Sequence, residues 1–220
     1  MNVIITNDTQ HFNRKCAEEI ANQIRAKTDS VLGFATGHTT EGVYRELLAM
    51  HRSEGLDFSR ITAFTLDEYA GAFLDNPASC SARMTAQLFS RVNADAGRIH
   101  FMDSTAPDLN RVCSDYEERI RQAGGIDMQI LGIGTNGHIA FNEPGAPFHS
   151  VTRVVDVGEQ TVAARAAMFG SLEQVPRLGV SMGIKTKNRF VGQRGGQGGH
   201  RALGAAILRC PPLCCSYTQR

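Results

Sequence analysis

The chain has 220 residues and a mass of 23.9 kDa, which suits one compact domain of about 100–200 residues. Hydrophobic residues make up 42% and charged residues 20%, a balance that excludes disorder along most of the length. Lysine and arginine number 23 against 22 acidic residues, and the net charge of +1 excludes a whole-chain electrostatic case for nucleic acid or an anionic membrane.

No apolar run approaches the roughly 20 residues of a membrane span. The opening MNVIITNDTQ has neither a basic region nor an apolar core of the secretory kind. The expectation is therefore a cytoplasmic protein. Charge is unevenly spread: residues 185–220 hold seven basic residues and no acid, which leaves the first 184 with a net charge of −6. Cys16, Cys80 and Cys113 are singletons, without the paired spacing of a zinc or redox site, and read as reduced thiols. The terminal CPPLCC, carrying Cys210, Cys214 and Cys215, is too crowded by proline for a tetrahedral metal site.

In chain order the pattern predicts a strand at 2–6, then a helix at 9–27 with Phe12, Cys16, Ile20 and Ile24 at helical spacing. A strand at 31–35 precedes a helix at 39–51; a strand at 61–66 precedes a helix at 79–92. Strands at 99–102 and 128–133 flank an amphipathic helix at 108–122. A strand at 152–157, a helix at 159–169 and a strand at 178–182 follow. Repeated alternation of this kind predicts an α/β fold, an open, mostly parallel, doubly wound sheet with helices on both faces. Such sheets bind ligands beyond the carboxyl ends of their strands.

Three loops lie there. Thr36-Gly37-His38-Thr39-Thr40 turns from a strand into a helix, with Thr39 or Thr40 available to cap it. Free N–H groups and the helix dipole favour an anion such as phosphate, although an ordinary strand-to-helix turn looks the same. It lacks the GK[ST] of a nucleoside triphosphate loop. Asp67 and Glu68 end the next strand; one could act as a general base, and a solvated acidic turn is the plainer alternative. The third loop runs Gly132-Ile133-Gly134-Thr135-Asn136-Gly137-His138-Ile139-Ala140-Phe141-Asn142-Glu143-Pro144-Gly145. Gly132, Gly134 and Gly137 fit G-x-G-x-x-G, but Pro144, Gly145 and Pro147 leave no room for the helix a dinucleotide site requires. What remains is a glycine-rich loop carrying His138 and Glu143, able to form a proton relay in which the carboxylate fixes the imidazole. Two ligands are too few for a metal.

The segments LGFATGHTTEGVYREL, FTLDEYAG and LGIGTNGHIAFNEPGAPF, in this order and spacing, resemble the glucosamine-6-phosphate deaminase family over residues 1–184. The resemblance implies a sugar-phosphate isomerase fold and a small-molecule substrate, glucosamine 6-phosphate. It implies a phosphate site on Thr36, Gly37, His38 and Thr39. His138 would open the sugar ring, with Asn136 and Glu143 orienting or assisting it. Asp67 would take the proton from C2 before the imine hydrolyses to fructose 6-phosphate and ammonium. It implies no metal and no organic cofactor, no nucleic acid and no membrane, and leaves a monomer or a homo-oligomer open. A sugar-phosphate sensor of the same fold and a 6-phosphogluconolactonase are the alternatives.

The chain departs from the family pattern in three places. Thr40 replaces a proline. The arginine expected to bind phosphate falls, by ungapped count from His138, at Ala167; Arg165 is two residues away and is expected on another face of the helix. Finally, the Gly-rich, basic segment 185–220 replaces a buried strand and a phosphate-binding lysine, so the C-terminal strands are expected to be missing or altered. This divides the chain into a domain at 1–184 and a poorly ordered tail at 185–220, with solubility or activity impaired. From Arg189 onward the residues can be encoded by codons that, read one base later, spell VLLVSGEDKAAIV. A frameshift is the expectation, and the nucleotide sequence around codons 184–200 tests it.

Overall fold

The computed structural model describes residues 4–134 and 136–186, together with the backbone course of 204–209. Helix α1 (Thr9–Ala26), strand β1 (Val31–Phe34) and helix α2 (His38–Glu54) come first, then β2 (Thr62–Thr65), β3 (Asp67–Tyr69) and α3 (Cys80–Gln87). Strand β4 (Ile99–His100), helix α4 (Leu109–Gln122) and β5 (Met128–Ile133) follow. The series closes with β6 (Arg153–Asp156), α5 (Glu159–Phe169), β7 (Leu178–Ser181) and β8 (Gly204–Arg209).

The larger sheet has the order β4-β2-β1-β5-β8. Its first four strands are parallel, and β8 joins β5 antiparallel. Side chains alternate across it, as a period of two requires. Leu32, Phe34, Ala63, Met128 and Ile130 face α1, α2 and α3. Val31, Phe64 and Leu131 face the other way, onto Cys113, Tyr116 and Ile120 of α4. A parallel sheet covered on both faces is the result, in keeping with the doubly wound expectation.

Local signals set the helix starts. Asp8 accepts from the His11 N–H at 2.7 Å, Ser79 from Ala82 at 3.0 Å, and Asp108 from Arg111 at 3.0 Å.

Four features depart from the sequence reading. Residues 4–6 of the expected first strand pair with no strand among the described residues; Ile5 is 87% exposed, and residues 1–3 lie outside the described residues. Strands β6 and β7 leave the main sheet and form a second, antiparallel one, ordered β3-β7-β6. Residues 67–69, read as a loop, are the strand β3 of that small sheet. The tail 185–220 lies outside the described residues except for 185, 186 and β8. A strand is thus present in the tail, antiparallel to β5, over a stretch where Gly204, Ala205, Ala206, Ile207 and Leu208 interrupt the basic run.

Candidate active site

The carboxyl ends of β1, β2 and β5 open onto one cavity of about 290 Å³. It is lined by residues 36–40, by Asp67 and Tyr69, by Gly134, His138 and Phe141, and by Arg83 and Arg165. The three loops singled out from sequence therefore share one space.

On the first wall, Gly37 is the N-cap of α2, and no side chain caps the helix. Thr40 does not cap as expected; its hydroxyl lies 3.1 Å from both the Ala35 and Gly37 carbonyls and ties the loop down instead. The Tyr44 hydroxyl donates to the Ala35 carbonyl at 2.5 Å from below. The first-turn N–H groups of α2 are left for an external acceptor, at the positive end of the dipole. Thr36, Gly37 and Thr39 are half-buried there, and His38 is exposed.

On the second wall, the paired carboxylates point apart, because consecutive residues of a strand face opposite sides. Asp67 faces the cavity. Glu68 is buried and accepts from the backbone N–H groups of Tyr69 at 2.9 Å, Cys80 at 2.9 Å and Ser81 at 2.7 Å. It thereby fastens β3 to the start of α3. Burial raises its pKa above the usual carboxylate value, with the donated hydrogen bonds opposing. Burial, then the charges of Asp67 and Glu68, hold the Cys80 thiol well above its ordinary range. Of the two candidate bases, only Asp67 is placed to meet a ligand.

The third wall is the glycine-rich loop. Gly137, with φ of 91°, takes the left-handed conformation at its bend. Isoleucine 139 and Asn142 exchange backbone hydrogen bonds at 3.1 and 3.0 Å, making a tight turn with Ala140 at φ 53°. Buried Asn142 anchors that turn, donating to the Met182 carbonyl at 2.8 Å and accepting from Arg153 at 2.8 Å. Gly134 is required by space, since a Cβ there would fall on the His138 ring.

His138, Asn136 and Glu143 form a chain. Asn136 Nδ2 donates to Glu143 Oε2 at 2.7 Å, so its Oδ1 faces His138. That oxygen accepts from the His138 backbone N–H at 3.1 Å and stands 2.7 Å from Nδ1. An amide oxygen can only accept, which puts the imidazole hydrogen on Nδ1 and leaves Nε2 with its lone pair. Asn136 and Glu143 do not line the cavity; they stand behind the histidine that does.

Tyr69, Arg83 and Arg165 were not singled out as site residues from sequence. Tyr69 was findable: in a strand, residues 67 and 69 share a face. Arg165 was placed on the wrong side of α5. It lines the cavity, whereas Ala167 is exposed and does not. Among the described residues no group of three or more His, Cys, Asp or Glu side chains is placed to hold a metal ion.

The family described as glucosamine-6-phosphate isomerases/6-phosphogluconolactonase matches residues 7–165. The chain belongs to this family. Among curated members, it is 43% identical to the glucosamine-6-phosphate deaminase of Clostridium botulinum (strain Loch Maree / Type A3), over 84% of this chain and 76% of that protein. It is 46% identical to glucosamine-6-phosphate deaminase 2 of Bacillus subtilis (strain 168), over 86% and 77%. Among solved structures of the family, a monomeric glucosamine-6-phosphate deaminase superposes with a TM-score of 0.82 at 41% identity, covering 84% of this chain and 77% of that one. The 6-phosphogluconolactonase of Thermotoga maritima superposes with a TM-score of 0.62 at 21% identity, covering 84% and 77%, a likeness of fold alone.

Proposed function

We propose that the chain is a glucosamine-6-phosphate deaminase, converting glucosamine 6-phosphate and water to fructose 6-phosphate and ammonium. The observation that carries this reading is the convergence of Asp67, His138 and the uncapped start of α2 on one cavity. Relatives of that name at 43% and 46% identity support it.

The sugar phosphate is held with its phosphate on residues 36–39 and its ring toward Asp67 and His138. Nε2 of His138 takes the proton of the anomeric hydroxyl and returns it to the ring oxygen, opening the ring. The Asn136–Glu143 pair keeps the imidazole in the tautomer this step needs. Asp67 then removes the proton from C2 of the open chain. A proton beside a carbonyl or imine is weakly acidic, so the carboxylate must be held in contact with it. The enolamine gains a proton at C1, and water displaces ammonium from the resulting imine. An amide neither takes up nor releases a proton near neutral pH, so Asn136 orients and does not relay.

All these residues come from one chain and lie within 1–184, which we take as the catalytic unit. No helix of the described residues is long and apolar enough to cross a membrane, and a sugar-phosphate substrate suits a cytoplasmic enzyme.

Ammonium and fructose 6-phosphate released from glucosamine 6-phosphate are the expected products. Hydrolysis of 6-phosphogluconolactone alone would overturn the reading in favour of a lactonase; ligand binding without product would make the protein a sensor.

A further inference from the structure

Two guanidinium groups line the cavity, and they differ in what they already hold. Arg83, with a side chain only 11% exposed, is paired with Glu41 in the first turn of α2 at 3.2 Å. Its charge is answered within the fold. Arg165 pairs with no carboxylate among the described residues; its recorded contact is Nη1 to the Met168 sulfur at 3.5 Å, a weak one. Its charge also acts on the Tyr69 hydroxyl, so its neighbour at the cavity wall is a neutral one. Across the same cavity are the N–H groups of α2 that no side chain caps.

A charged group that is half-buried, and has no carboxylate partner among the described residues, lines the same cavity as a cluster of donors that lack an acceptor. Both need the same thing, an anion between them. We propose that Arg165 binds the phosphate of the substrate, serving in the place where the family resemblance puts an arginine at Ala167. Residues two apart on a helix point about 200° apart, so with Arg165 in the cavity residue 167 cannot reach it. This inference rests on the proposed deaminase reading for its substrate, but not for its anion.

The test compares wild type with Arg165→Ala and Arg165→Lys in two assays: turnover of glucosamine 6-phosphate, and calorimetric titration with inorganic phosphate. The expected result for Arg165→Ala is a KM about 10- to 100-fold higher with kcat little changed, as for a contact made equally before and during reaction. Phosphate affinity falls by a similar factor, and lysine restores part of both. Unchanged KM and phosphate affinity in Arg165→Ala overturn the inference, as does wild type that fails to bind phosphate. A fall in kcat alone, with KM and phosphate affinity intact, also overturns it, because that marks a structural role. If wild type releases no ammonium, the deaminase reading fails, and the phosphate titration still decides the part played by Arg165. Should Arg165→Ala not fold, Arg165→Lys and Arg165→Gln supply the same comparison.

Discussion

Nδ2 of Asn136 lies 2.7 Å from Oε2 of Glu143, and this contact decides which atom of the amide meets His138. Replacing Glu143 by Gln removes the charge that fixes the amide, so the imidazole loses its preferred tautomer. The expected loss in kcat is about 10²-fold or more, within the range of general acid–base catalysis, while folding is retained by circular dichroism.

Gly134 is coupled to the same histidine by space alone. A methyl group there falls on the imidazole ring, so Gly134→Ala must push the ring from its hydrogen bond with Asn136. The expected result is a destabilisation of about 1–3 kcal/mol, typical of overpacking, and a fall in kcat larger than any change in KM. Urea unfolding and steady-state kinetics measure both.

The neighbours Asp67 and Glu68 should separate cleanly by mutation. Asp67→Asn is expected to abolish turnover, since an amide cannot accept the proton. Glu68→Gln should cost about 1–3 kcal/mol of stability, because one of the two oxygens that accept buried N–H groups is replaced by a donor. The pH dependence has a definite sign. Glu68 has a folded-state pKa raised above its ordinary 4.5; its contribution is complete below that value and is lost as pH rises through the folded-state pKa. Urea midpoints measured upward from pH 4.5 should show the wild-type advantage over Glu68→Gln shrinking.

Burial governs the three described thiols. Cys16 is pushed up to about 12 and Cys113 to about 11, and Cys80 well above its usual range, in each case chiefly by burial. Peptide-resolved labelling with a thiol reagent at pH 8 should leave all three unmodified in the native state and modify them after unfolding. Rapid native labelling of Cys80 would mean that the cavity wall opens.

Much of this was legible because the signals are local. The helical spacing of Cys16, Ile20 and Ile24 describes a face that is buried in α1, and residues 128–133 form the predicted strand to the residue. The meeting of Asp67 with His138 follows from their places after parallel strands. Direction was not legible: β6 and β7 have the composition of any strand, and only the crossing of Val154 and Val180 in register reveals the second sheet. Arg165 was misread because an ungapped count carries no information about which face of a helix turns inward. The first strand failed for a different reason. Ile4 and Ile5 have the right chemistry, but no strand among the described residues pairs with residues 4–6.

Tyr69 packs between Phe141, tilted at 54° with ring centroids 4.9 Å apart, and Phe169, edge-on with centroids 5.1 Å apart. One ring thus clamps the hairpin beside His138 to the helix of Arg165, and it stands two residues from Asp67. On the proposed reading, these three rings help fix the spacing between the proton-moving end of the cavity and its anion-holding end. The cavity would then work as a caliper set by the fold rather than by whatever molecule enters.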